Sequence, residues 1–153
     1  MIRSYIGIDP GKTGAMALLT EEGEMDFADW STPHAMQVTL LGWVQDKCVK
    51  YIGLEKVHSM PRQGVSSTFT FGSNFGWWAG TLDMVSLFLG TPWGLVSPQE
   101  WQKGVCGGKR GGDNEPLTAA RRMFPDAPLG RMRDSGRADA LLIALWAKKH
   151  WSH

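Results

Sequence analysis

At 153 residues, 42% apolar and 20% charged, the chain is long enough to bury a core without disulfide support and has an ordinary globular composition. No run approaches the roughly 18 apolar residues that span a bilayer. The opening MIRSYIGID has no basic segment followed by an apolar run and a small-residue cleavage site, so neither membrane insertion nor export is expected. The two cysteines, Cys48 and Cys106, show neither metal-ligand spacing nor a disulfide framework, which points to reduced thiols in a cytoplasmic protein.

Residues 2–8 read as a buried strand ending at Asp9, followed by the turn PGKTG. A second short strand covers 15–19, and after the turn EEGE a third covers 25–30. Val38, Leu41, Val44 and Cys48 predict a helix over 36–49, entered from the turn residues Ser31–Pro33. Residues 51–54 form a fourth strand, reached through a helix and so parallel to the first by a right-handed crossover. HSMPRQGV reads as a loop. The longest helix spans 66–89, capped by Ser66 or Ser67, with Phe71, Phe75, Trp78, Leu82, Val85 and Leu89 as an apolar stripe. A fifth strand at 93–96 leads to a helix over 98–105 with proline in its first turn. The basic loop CGGKRGGDN, a short helix over 116–124, an irregular stretch and a closing helix over 137–150 complete the chain. With no repeat and no internal boundary, the expectation is one α/β domain over 1–153, a mixed five-stranded sheet flanked by helices.

Three acids sit where a core should be. Asp9 follows Ile6 and Ile8, Glu55 follows Ile52 and Leu54, and Asp139 lies between Ala138 and Ala140 ahead of LLIALW. A lone buried carboxylate costs several kcal/mol unless something compensates it. If the first and fourth strands are parallel neighbours, Asp9 and Glu55 emerge together at their C-terminal ends, where sites in such sheets form. Asp139 would face them from the first turn of the last helix. Taken singly, Asp9 before Pro-Gly is also a turn-former, Glu55 also a partner for Lys56 or Arg62, and Asp139 also a helix-start charge. Their joint placement favours a site, and hard oxygen ligands suit Mg²⁺, with Mn²⁺ as the substitute. Two such cations clamp a scissile phosphate, which is a use for the cluster on nucleic acid.

The net charge of +1 hides an uneven distribution. Residues 1–100 hold 6 Lys/Arg against 10 Asp/Glu, whereas residues 101–153 hold 10 against 5. A basic C-terminal third can meet phosphates.

The segments YIGIDPGKTGAMAL, IGLEKVHSMPRQGVSSTFTFGSNFG, VSPQEWQKGV and SGRADALLIALW, in that order, resemble the phage-type branch of RuvC Holliday-junction resolvases. The resemblance implies a ribonuclease H-like fold, a homodimer, and paired symmetric nicks in a four-way DNA junction that leave 5′-phosphate and 3′-hydroxyl ends. It also carries the metal-ligand role onto Asp9, Glu55 and Asp139. One departure stands out. The family usually places a fourth ligand three residues before the last Asp, and here that residue is Gly136. The nearest acid, Asp134, reaches the metals only if the backbone at Ser135–Gly136 is not yet helical, and it is the candidate fourth ligand on that condition.

Candidate phosphate contacts are Lys12, Arg62, Lys103, Lys109, Arg110, Arg121 and Arg122, and His58 is placed to probe bases at the junction centre, as an aromatic does in bacterial relatives. Gly72, Gly76 and Gly80 recur every fourth residue on the long helix and predict a face for a partner subunit or DNA, or else tight packing on the domain's own sheet. Trp77, Met84 and Phe88 form a second apolar face suited to dimer burial. GIDPGKTG fails as a phosphate-binding Walker loop, because Ile6 stands where its first glycine is required and a strand follows it. A sugar-kinase or actin-type ATPase, a small-molecule phosphotransferase with a similar opening signature, needs two such domains; it is disfavoured by length and would require nucleotide binding. The rival readings are a nuclease for other branched DNA, flaps or structured RNA, and a catalytically silent junction-binding protein.

Overall fold

The computed structural model describes residues 1–57, 64–107, 111–112 and 115–151. In chain order the elements are β1 (Ser4–Asp9), β2 (Ala15–Thr20), β3 (Met25–Asp29), α1 (Pro33–Asp46), β4 (Val49–Glu55), α2 (Val65–Leu89), β5 (Trp93–Val96), α3 (Pro98–Cys106), α4 (Pro116–Met123) and α5 (Ser135–Trp151). The strands form one sheet in the order β3-β2-β1-β4-β5. β1, β2 and β3 are an antiparallel meander, while β4 and β5 join parallel to β1.

Strand alternation divides the core into two layers. Ile6, Ile8, Met16, Leu18, Ile52 and Leu54 pack against Met36, Leu40 and Trp43 of α1 and Trp78, Leu82 and Val85 of α2. Ala15, Ala17 and Leu19 pack on the opposite face, against Trp101, Ala119, Ala120 and the apolar side of α5. α5 lies almost in backbone contact with the sheet. A Cβ at Gly7 would overlap the Ala140 carbonyl, and one at Gly53 would sit 3.0 Å from Ile143 Cγ2. These two glycines set how close the helix carrying Asp139 comes to β1 and β4.

Some boundaries differ from expectation. Ser31–Pro33 is a helix start rather than a turn: the Thr32 hydroxyl accepts from the Ala35 amide and Pro33 opens α1. Neither Ser66 nor Ser67 caps α2. It begins at Val65 behind Gly64 with no side-chain cap. The stretch expected to be irregular contains a 3₁₀ turn over Met132–Asp134, and α5 starts at Ser135.

α2 buries only the middle of its stripe, and Leu89 at its end is exposed. A Cβ on Gly72, Gly76 or Gly80 would meet nothing within 4 Å, so this ridge is not packed on the domain's own sheet. The exposed Phe69, Met84, Leu87 and Phe88 share the helix with it. Trp77 differs from the expectation. Its ring sits edge-on to Trp30 and Trp78, at centroid distances of 5.4 and 4.8 Å, and belongs to the margin of the core. Among the described residues, no helix is long and apolar enough to cross a membrane.

Candidate functional site

The register of β1 on β4 pairs Ile8 with Leu54, so Asp9 and Glu55 follow side by side at the C-terminal ends of adjacent parallel strands. Neighbouring strands lie about 4.8 Å apart, which makes this the closest lateral approach a sheet provides. α5 crosses above them. Gly136 abuts the Thr13–Gly14 backbone just beyond β1, and Ala140 abuts Gly7 within it. Asp139 lies between these two contacts, in the first turns of α5 and over the same edge of the sheet. The backbone positions of three acids spread over more than a hundred residues of chain thus fall at one end of the fold.

The Asp9 carboxylate accepts the Gly11 amide at Oδ1, 3.1 Å away. Burial pushes its pKa above the ordinary carboxylate value, and the Gly11 hydrogen bond only partly opposes this. Glu55 Oε2 accepts the indole Nε1–H of Trp101 at 2.7 Å. Asn74 of α2 donates its side-chain amide to the Pro10 carbonyl and so ties the long helix to the Asp9 turn. Among the described residues, no three His, Cys, Asp or Glu side chains are gathered closely enough to hold one ion as they stand. The backbone converges, while Glu55 is engaged with Trp101. The chemistry of the donors nevertheless fits a hard divalent cation. They are all carboxylate oxygens, and that of Asp9 is desolvated and accepts one backbone N–H among the described residues.

The condition set for Asp134 as a fourth ligand is not met. Ser135 is already helical, at φ −57° and ψ −35°. The Asp134 side chain is buried and turned to Arg131, accepting from its backbone N–H at 2.8 Å and from its guanidinium at 2.7 and 3.2 Å. Arg137 approaches it at 3.9 Å and itself grips Asp29 through two bonds of 2.6 and 2.7 Å. Arg131 holds the Asp134 carboxyl at a pKa of about 2. Asp134 is therefore a structural anion that locks the entry to α5. Gly136, three residues before Asp139, is closed for a separate reason: any Cβ there would overlap the Thr13 carbonyl oxygen.

A carboxyl with a lowered pKa contributes stability above its ordinary value near 4, and that contribution is lost as pH falls towards 2. Asp134→Asn is therefore expected to lower Tm at pH 7, with a gap from wild type that narrows below pH 4. Its divalent-cation affinity should stay at the wild-type level. An affinity lost without a change in Tm would restore Asp134 as a ligand.

The basic candidates divide. Lys12 is exposed in the turn that follows Asp9, and Lys103 and Arg122 are exposed on α3 and α4. Arg121 instead donates from Nε to the Leu129 carbonyl at 2.6 Å, bracing the segment after α4. His58, Arg62, Lys109 and Arg110 lie outside the described residues. Reading the sequence missed Trp101, Asn74, Arg131 and Arg137. Only Trp101 left a signal, since a tryptophan on the buried face of a short helix usually finds a partner for its N–H.

No family model matches the sequence, and no curated protein matches it. The mixed sheet in the order β3-β2-β1-β4-β5, flanked by helices, is that of the ribonuclease H-like fold. Among solved structures, RuvC of T. thermophilus in complex with a Holliday junction substrate aligns over 96% of this chain and 96% of its own, with a TM-score of 0.69 and 18% identity. A second Thermus thermophilus RuvC structure aligns over 97% of each chain, with a TM-score of 0.67 and 17% identity. At such identities the likeness is one of fold, and it extends across nearly the whole chain.

Proposed function

We propose that this chain is a structure-specific DNA endonuclease that resolves four-way junctions by paired symmetric nicks. The observation that carries this reading is the side-by-side exit of Asp9 and Glu55 from adjacent parallel strands, in a chain whose fold matches that of a junction-bound RuvC over 96% of both chains. Asp9, Glu55 and Asp139 hold Mg²⁺, or Mn²⁺ in its place, and Asp134 stays outside the set. Bound there, divalent cations activate water and offset the charge that builds on the phosphate and the leaving 3′-oxygen. The protein's part is to aim rigid carboxylates from two strand ends and one helix, and to hold the Asp9 turn through Asn74. Lys12, Lys103 and Arg122 meet phosphates, as do Arg62, Lys109 and Arg110, and His58 meets the bases. Such a protein works in the cytoplasm, that of a bacterial host if it is phage-encoded.

Symmetric nicking needs two sites, and the α2 face supports a homodimer. Its open glycine ridge permits close backbone approach, and the exposed Met84 and Phe88 continue into an apolar groove of about 310 Å³ between α1 and α2, which Leu40 and Leu41 also line. Phe88→Asp is expected to shift the mass measured by light scattering from dimer to monomer. An unchanged dimer would remove α2 from the interface.

The deciding experiment incubates a labelled four-way junction with Mg²⁺ or with EDTA and maps nicks on all four strands. Paired nicks at symmetric positions in Mg²⁺ alone are expected, with 5′-phosphate ends. Cleavage of flaps or structured RNA in preference to junctions would reassign the substrate. Binding without cleavage under any divalent cation would end the nuclease reading.

A further inference from the structure

The indole of Trp101 is fully buried, and the residue that takes its N–H is the proposed cation ligand Glu55. This contact is built by the chain's path rather than by chance proximity. Val96, the last residue of β5, is paired with Glu55 across the sheet. Ser97 then caps α3 by accepting the Glu100 amide at 3.1 Å, and Trp101 follows one residue later, on the first turn. The strand pairing thus sets the origin of α3, and the cap sets its phase, so that the indole arrives beside the carboxylate.

Other indoles also donate to carboxylates, but not to one at the proposed cation site. Trp43 and Trp93 donate to Asp26 and Asp83, both exposed and neither among the proposed ligands. Trp78 is equally buried, yet its Nε1–H has no partner among the described residues. Burial of an indole in this protein therefore does not by itself demand a carboxylate.

We propose that Trp101 is a positioning residue for the cation site; the inference rests on the nuclease reading above. An indole is a neutral, donor-only group on a rigid ring, so it anchors Oε2 of Glu55 without adding positive charge beside the cations. A lysine or arginine in its place would compete with the metal, and a hydroxyl would rotate. Groups that orient a metal ligand in this way commonly change metal affinity by about 10- to 100-fold when removed.

The test is calorimetric titration of Mn²⁺ alone into the full-length protein, comparing wild type, Trp101→Phe and the control Trp43→Phe. Trp101→Phe is expected to keep the wild-type circular dichroism spectrum and to weaken Mn²⁺ binding by about 10- to 100-fold. The Mg²⁺ concentration for half-maximal nicking should rise by a similar factor, and kcat at saturating Mg²⁺ should return close to wild type. Trp43→Phe should match wild type throughout. An Mn²⁺ affinity for Trp101→Phe within twofold of wild type overturns the proposal while leaving the nuclease reading intact. A wild-type protein that binds no Mn²⁺ overturns both. Should Trp101→Phe fail to fold, the wild-type protein decides the matter. Its assigned Trp101 indole ¹H–¹⁵N resonance must shift saturably as Mg²⁺ is added, and an unmoved resonance overturns the proposal.

Discussion

Asp9→Asn is expected to abolish nicking of a four-way junction and, at the same time, to raise the melting temperature of the metal-free protein at neutral pH. The first effect follows from losing one of the anions that aim the cations. Metal stabilisation of the transition state is worth several kcal/mol, and about 1.4 kcal/mol is tenfold in rate, so a loss of about three orders of magnitude or more is expected. Junction binding should survive, because phosphate contacts fall to basic residues elsewhere.

The second effect follows from burial. Desolvation raises the Asp9 pKa, so the folded state holds that proton more tightly than the unfolded chain does. The contribution favours folding below the ordinary value near 4 and is lost as pH rises through the folded value. Ionising this desolvated carboxylate therefore costs stability as pH rises. Asparagine keeps an oxygen for the Gly11 amide and carries no charge. Melting curves in EDTA should show the variant pulling ahead of wild type as pH rises from about 4 to 7. A variant that melts below wild type at neutral pH would defeat the account of Asp9 as a strained anion kept for function.

Gly136→Asp places an acid three residues before Asp139, and it is expected to damage the protein. The Cβ would overlap the Thr13 carbonyl oxygen and stand 3.1 Å from Gly14 Cα. Both are backbone atoms that cannot rotate aside. The turn is pinned in addition, since the Gly14 amide donates to the Gly11 carbonyl at 2.9 Å and the Gly14 carbonyl accepts from Trp30 at 3.0 Å. Overpacking of this kind costs about 1–3 kcal/mol, and each kcal/mol lowers Tm by roughly 2–4 °C in a chain of this size. Gly136→Ala should show a comparable loss, which would assign the damage to the Cβ rather than the charge. Nicking should fall too, because the displaced turn follows directly from Asp9. If Gly136→Asp melted at or above wild type and bound Mn²⁺ more tightly, the closed-position argument would be wrong.

What could be read before folding depended on the range of the information. The alternation in SYIGID and YIGLE specifies strands and assigns faces, and the helical spacing of Trp78, Leu82 and Val85 specifies the buried side of α2. The acids at the strand ends are visible as polar residues that interrupt apolar runs. Asp134 shows where such reading stops. Its distance along the chain from Asp139 matches a ligand displaced by two residues, yet its carboxylate is taken by Arg131 and faces Arg137. No spacing rule foretells which of several nearby cations an anion will choose. Trp77 is similar: it lies off the main stripe, but the contact with Trp30 draws it to the core margin.

By itself the sequence determined the strands and helices, the two-layer division of apolar residues and the three acids set against apolar segments, because these follow from local periodicity and from the cost of burying charge. The tertiary structure alone decided that Gly136 has no room for a side chain, that Asp134 belongs to arginine, and that Trp101 holds Glu55. Each of these depends on atoms far apart in the chain meeting within a few ångströms. Such meetings are set by how α3 and α5 seat on the sheet, which no window of neighbouring residues contains.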